Sequence, residues 1–163
     1  MEPVSQPLPS SGPSGRPSLL VIEDTDDQWT LIERALGESW PEVQAVRVPG
    51  VEETLSYLTS CEQTGDPLPR MILLDLYLPR REDGWALLDA LKGNPAYQFL
   101  PVVVLSASDD PADIGECYDL RSNSYLVKPT SYPAWLACFE HVRRYWSDAV
   151  TLPSKGRFFM RYS

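Results

Sequence analysis

Five polar positions stand where apolar runs stop, and their chemical types fit one reaction. Glu23 and Asp24 follow Leu19-Leu20-Val21-Ile22, and Asp75 follows Met71-Ile72-Leu73-Leu74. Ser106 follows Val102-Val103-Val104-Leu105, and Lys128 follows Tyr125-Leu126-Val127. A short apolar run of this kind reads as a strand buried on both faces. A carboxylate at the end of such a strand does no packing, so Asp75 needs a chemical reason to be there. Three carboxylates gathered within about 5 Å would repel by about 3 kcal/mol per pair at an effective dielectric near 20. Each would raise the others' pKa unless a cation joined them. Hard oxygen donors suit Mg²⁺, whereas a single histidine and three scattered cysteines offer no zinc set. Phosphoryl transfer onto Asp75 is the chemistry such a group could perform, because that reaction asks mainly for positioning and charge neutralisation. Lys128 would reach one phosphoryl oxygen as a point charge. Ser106 would donate a hydrogen bond to another. Ala107 is small enough to leave the acid accessible, and its backbone N–H is a further donor.

These residues can meet only if the chain brings the strand ends to one edge. Strands are expected over residues 19–23, 43–48, 71–75, 102–106 and 125–127. Helices are expected over 26–40, 51–60, 84–92, 109–121 and 132–146. Asp26 or Asp27 would cap the first helix, and Pro41 ends it. Pro111 and Asp113 fall in the first turn of the fourth, where a missing N–H and a negative charge are tolerated. Asp109, Asp110 and Asp113 thus read as helix-start residues. Residues 61–69 and 76–84 read as loops, the second with the mixed charges of Arg80, Arg81 and Glu82 in solvent. Strands alternating with helices imply parallel crossovers and an α/β fold. The expected architecture is a flavodoxin-like three-layer sandwich, with five helices around a five-stranded parallel sheet of order 2-1-3-4-5. Ligands in such sheets sit beyond the carboxyl ends of the strands, where the strand order reverses.

Residues 18–146, with this order and kind of strand ends, resemble the receiver domain of two-component response regulators. The resemblance implies that Asp75 is the phosphoacceptor and that Mg²⁺ is the cofactor. Asp24 would bind the metal directly, Glu23 through water, and Tyr77 through its backbone carbonyl. It implies that Ser106 is the switch hydroxyl and that Lys128 is the family's lysine, with a cis peptide bond to Pro129. Tyr125 would be the aromatic residue that turns inward on activation. The loop from Asp75 to Asp83-Gly84 is one residue longer than the family's usual one. Tyr118-Asp119-Leu120, Asn123, Tyr125, Trp146 and Ala149-Val150-Thr151-Leu152-Pro153 resemble single-domain regulators paired with bacterial and cyanobacterial phytochromes. That likeness implies a sensor histidine kinase as partner, of phytochrome type. It also implies a homodimer formed through the fourth helix, fifth strand, fifth helix and C-terminal tail.

Composition narrows the alternatives. The 163 residues fit one domain, and the net charge of -9 repels phosphate backbones, so no nucleic acid is expected. The three cysteines, Cys61, Cys117 and Cys138, form no C-x-x-C pair, which fits a reducing cytoplasm. No apolar run is long enough to span a bilayer, and the N-terminus lacks a signal-peptide pattern. Residues 1–17, rich in Pro, Ser and Gly, read as a disordered leader. Residues 147–163 read as an extension whose Phe158, Phe159, Met160 and Tyr162 would fold back or cross to a second subunit. With so little chain after the receiver, signalling through protein contacts is expected rather than a DNA-binding output. The chain is expected to be a phosphoacceptor, not an enzyme. An alternative is a scaffold that keeps the fold without using the site. A flavin carrier would need a Ser/Thr/Gly-rich loop where this chain has Glu23-Asp24-Thr25-Asp26-Asp27. An aspartate-based phosphatase would need an acid where Tyr77 stands. His141 reads as a surface residue. Trp135, Phe139, Val142 and Trp146 read as core or dimer interface.

Overall fold

A computed structural model describes residues 16–149 of the chain. Its elements run β1 (Ser18–Ile22), α1 (Asp26–Ser39), β2 (Gln44–Val48), α2 (Val51–Thr64), β3 (Met71–Asp75), α3 (Arg81–Gly93), β4 (Val102–Ser106), α4 (Pro111–Asp119), β5 (Ser124–Val127) and α5 (Tyr132–Arg143). A π-helical turn, Arg144–Ala149, continues α5. The five strands form one parallel sheet in the order β2-β1-β3-β4-β5. The flavodoxin-like sandwich expected from the alternating pattern is therefore the observed fold.

Side chains on a strand alternate between faces, and the two sides of this sheet follow that rule. Leu20, Ile22, Ile72, Leu74, Val102 and Val104 pack on one side with Leu58, Leu87, Leu88, Leu91 and Cys117 of α2, α3 and α4. Leu19, Val21, Leu73, Val103 and Leu105 pack on the other with Ile32, Leu36, Trp135, Phe139 and Val142 of α1 and α5. The aromatic stripe of α5 is thus core, and Trp146 packs against it from the π-helical turn. Every residue of β3 and β4 is buried, whereas the edge strands β2 and β5 are partly exposed. This explains why the central strands are unbroken apolar runs that admit a polar residue only at their ends.

Several local expectations are corrected. The cis peptide bond among the described residues is Leu78–Pro79, not the bond between Lys128 and Pro129. The trans preference of any X–Pro bond is only about 0.5–1 kcal/mol, so tertiary context selects the isomer. Helix α3 starts at Arg81 instead of Gly84, because the Asp83 side chain accepts the Arg80 N–H at 3.2 Å and caps the turn. Helix α2 runs on to Thr64, so only the end of the expected 61–69 loop is loop; it stops at Gly65, whose φ of 77° favours glycine. Thr25, not Asp26 or Asp27, is the N-cap of α1, and Asp26 instead meets Arg47 at 2.6 Å. Arg16 and Pro17, assigned to the leader by composition, are tied to the sheet edge. The Pro17 carbonyl accepts the Gln44 N–H at 2.9 Å, and Arg16 donates to the Pro41 carbonyl at 2.7 Å. The aromatic cluster at residues 158–162 lies outside the described residues.

Candidate functional site

The strand register fixes the site. Ile22 pairs with Leu74, so Glu23 emerges beside Asp75. Asp75 pairs with Leu105, so Ser106 lies one residue further out. Ser106 pairs with Val127, so Lys128 follows at the next step. One parallel register thus delivers the two acids, the hydroxyl and the ammonium to a single edge.

The side chains converge there. Oxygens of Glu23, Asp24 and Asp75 lie within 4.8 Å of one another, with Glu23 and Asp75 buried and Asp24 exposed. Lys128 Nζ stands 3.2 Å from Asp75 Oδ2 and 3.4 Å from Glu23 Oε2. Burial pushes the Asp75 carboxyl up to about 7; Lys128 draws it back down, and Glu23 pushes it up again. Burial, followed by the charge of Glu23, also raises Asp24 above the ordinary carboxylate value. The Glu23 carboxylate is oriented by the Thr25 backbone N–H at 3.2 Å and hydroxyl at 3.0 Å. The Tyr77 N–H donates to Asp75 Oδ1 at 3.2 Å, which places the Tyr77 backbone at the cleft.

The donor set fits a hard divalent cation. Its ligands are all oxygen, and one of them is open to solvent. Three carboxylates against one ammonium leave an excess of negative charge that a dication would offset. Glu23, Asp24 and Asp75 are the residues that would hold it.

Ser106 is fully buried, and its Oγ accepts the Ser108 N–H at 3.2 Å. Its hydroxyl hydrogen is therefore left to donate elsewhere. Ala107 is exposed beside it. Tyr125 already packs against the core, with its hydroxyl donating to the Ser108 carbonyl at 2.7 Å. His141 is exposed, as expected of a surface residue.

One constellation escaped the sequence reading. Asp113 does not merely charge a helix start; that capping role belongs to Asp110, which accepts the Ala112 N–H at 2.9 Å. Asp113 is only 1% exposed and collects the Tyr77 hydroxyl at 2.8 Å, the Ser108 hydroxyl at 2.6 Å and Arg81 at 2.9 Å. Arg81 is correspondingly no solvated loop residue, for its guanidinium also lies 5.1 Å from the Trp85 ring centre. The signal was available in the spacing, since Asp113 precedes the buried Cys117 by one helical turn and so shares its face.

Comparison with known proteins agrees with this fold. A family model described as the response regulator receiver domain matches residues 19–138. The probable methanogenesis regulatory protein FilR2 of Methanothrix harundinacea is 34% identical over 128 residues, covering 78% of this chain and 82% of that protein. The response regulator Rcp1 of Synechocystis sp. is 30% identical over 140 residues, covering 83% and 92%. Among solved structures, the response regulator RPA3017 in red light signaling of R. palustris superposes with a TM-score of 0.78 at 27% identity, covering 85% of this chain and 99% of that one. The phosphorylated cyanobacterial phytochrome response regulator RcpA gives 0.76 at 33% identity, with the same coverage. The Mn²⁺-bound form of Rcp1 gives 0.72 at 29% identity, again covering 85% and 99%.

Proposed function

This chain belongs to the response regulator receiver family, and on that premise we propose that Asp75 is its phosphoacceptor. The observation that carries the proposal is the convergence of Glu23, Asp24 and Lys128 on the Asp75 carboxylate. A carboxylate oxygen of Asp75 attacks the phosphorus of a phosphohistidine in a sensor histidine kinase. The new P–O bond forms as the P–N bond breaks, and the electron pair returns to the imidazole. The product is an aspartyl phosphate. Lys128 then exchanges its contact with Asp75 for a phosphoryl oxygen, Ser106 donates its hydroxyl hydrogen to a second, and the Ala107 N–H serves a third. Glu23, Asp24, Asp75 and the Tyr77 carbonyl would hold Mg²⁺, whose charge offsets that of the phosphoryl group.

The phosphoryl group adds about -1.5 to -2 charges next to β4 and β5. We infer that Ser106 and Tyr125 transmit this to the surface formed by α4, β5 and α5, where Tyr118 and Val127 are exposed. The partner kinase is proposed to be of phytochrome type, supported by the named roles of RcpA and RPA3017. The same surface is proposed to form a homodimer, with the C-terminal extension as an arm. The chain is proposed to act in the cytoplasm as a phosphoacceptor rather than an enzyme, and without nucleic acid. No helix among the described residues is long and apolar enough to cross a membrane.

The test is direct. Incubation with acetyl phosphate and Mg²⁺ should add one phosphoryl group to the wild type, detected by intact-protein mass, and none to Asp75→Asn. Equal labelling of the two proteins would place the acceptor elsewhere.

A further inference from the structure

We propose that Asp113 is a positioning residue for phosphoryl acceptance: its buried carboxylate latches Tyr77 and Ser108 and thereby fixes the two segments that flank Asp75. This rests on Asp75 being the acceptor. The latch joins three parts of the chain. Tyr77 comes from the segment after β3, Ser108 from the segment after β4, and Asp113 from the first turn of α4. Oδ2 of Asp113 accepts both the Tyr77 and the Ser108 hydroxyls, while Oδ1 accepts from Arg81.

Packing alone gives no reason for this acid. An ionised carboxylate in a buried position is costly unless it is paired and hydrogen-bonded, and an apolar residue would fill the space without that cost. What the carboxylate adds is the capacity to accept three donors at once, with Arg81 balancing its charge.

Both latched residues continue into the site. Tyr77 is tied at two points: its hydroxyl goes to Asp113, and its backbone N–H goes to Asp75 Oδ1. Ser108 is tied in the same way, by its hydroxyl to Asp113 and by its backbone N–H to Ser106 Oγ. The Ser108 carbonyl also receives the Tyr125 hydroxyl at 2.7 Å. Asp113 therefore sits one residue away from the acceptor on one side, and one residue away from the hydroxyl that meets the phosphoryl group on the other. Releasing it frees the Tyr77 backbone, and with it the carbonyl proposed as a metal ligand. It also frees the N–H that orients Ser106. Loss of a residue that orients a metal ligand typically costs about tenfold or more in affinity.

The experiment uses the full chain with Asp113→Asn, Tyr77→Phe and the double variant. Two quantities are read: Mg²⁺ affinity from tryptophan fluorescence, and the initial rate of labelling by acetyl phosphate at saturating Mg²⁺. Asp113→Asn and Tyr77→Phe should each weaken Mg²⁺ binding by about tenfold and slow labelling, with the double variant no worse than the weaker single one. Tyr77→Phe removes only a hydroxyl from a partly exposed side chain, so it reads the latch even if Asp113→Asn fails to fold. If wild type labels and folded Tyr77→Phe matches it in both quantities, the latch is wrong while the acceptor stands. Additive losses in the double variant would equally overturn a shared latch. A wild type that takes no label removes the acceptor, and this proposal with it.

Discussion

Asp75 carries a cost in the resting protein that can be measured without any phosphodonor. Burial lifts its carboxyl from an ordinary 3.8 to about 7, against the pull of Lys128. Between those values the folded state holds a proton that the unfolded chain has released. The contribution of Asp75 to stability therefore falls as pH rises from about 4 to about 7, because at this residue the native state binds the proton more tightly. An asparagine has no proton to lose. Without divalent ions, Asp75→Asn should unfold at a higher temperature than wild type at pH 8, and the gap should close as pH is lowered toward 4. Thermal melts across that range in the presence of a chelator test this, and a gap that does not vary with pH would contradict it. The same residue explains why the reactive centre was legible in the sequence. A strand buried on both faces tolerates a polar group only where it leaves the sheet, so Glu23, Asp75, Ser106 and Lys128 stood out against their neighbours. Asp113 did not, because an acid in the first turn of a helix has an ordinary use. Its register with Cys117 separates it from Asp109 but not from Asp110, which stands two turns before that cysteine.

At the scale of elements, the least legible stretch was the start of α3. Pro79, two arginines and Glu82 read as solvated loop, yet the helix begins at Arg81 and its first turn, at Gly84, packs against the Leu76 backbone just beyond Asp75. A proline and a row of charges describe the exposed side of such a turn; the partners of its inner side come from α4 and cannot be seen locally. Gly84 shows how close the contact is. A methyl group at that position would overlap the Leu76 carbonyl, which is backbone and cannot rotate away. Gly84→Ala should therefore push α3 from the end of β3. The cost is about 1–3 kcal/mol from overpacking, offset by at most about 1 kcal/mol from alanine's helix preference. A melting temperature lower by several degrees, together with slower labelling of Asp75, is the expected result. A melt unchanged from wild type would mean that α3 can shift freely. The strands carried the reverse lesson. Their order was legible because hydrophobic runs, turn residues and right-handed crossovers leave few alternatives. The cis bond at Pro79 was not, since no side-chain pattern distinguishes it from the bond before Pro129.

For the whole molecule, the site is where global charge and folding meet. The chain carries a net charge of -9, and three of its acids are held together at one edge of the sheet by the fold itself. The unfolded chain cannot gather Glu23, Asp24 and Asp75, because Asp75 lies more than fifty positions beyond the other two. A divalent cation that binds this cluster therefore binds the folded state alone and must stabilise it. At a free Mg²⁺ concentration ten times its Kd, the gain is about 1.4 kcal/mol. For a chain of this size that corresponds to about 3–6 °C in Tm. The dependence on named residues separates this from a general salt effect. Asp24 is exposed, so Asp24→Asn should leave the metal-free melt near that of wild type while removing most of the Mg²⁺-induced rise. Sodium chloride at matched ionic strength should not reproduce the rise, because it screens surface charges without occupying the cluster. If Mg²⁺ raised the melting temperature equally in wild type and Asp24→Asn, the ion would be acting on the acidic surface at large, and the three carboxylates would not form its site.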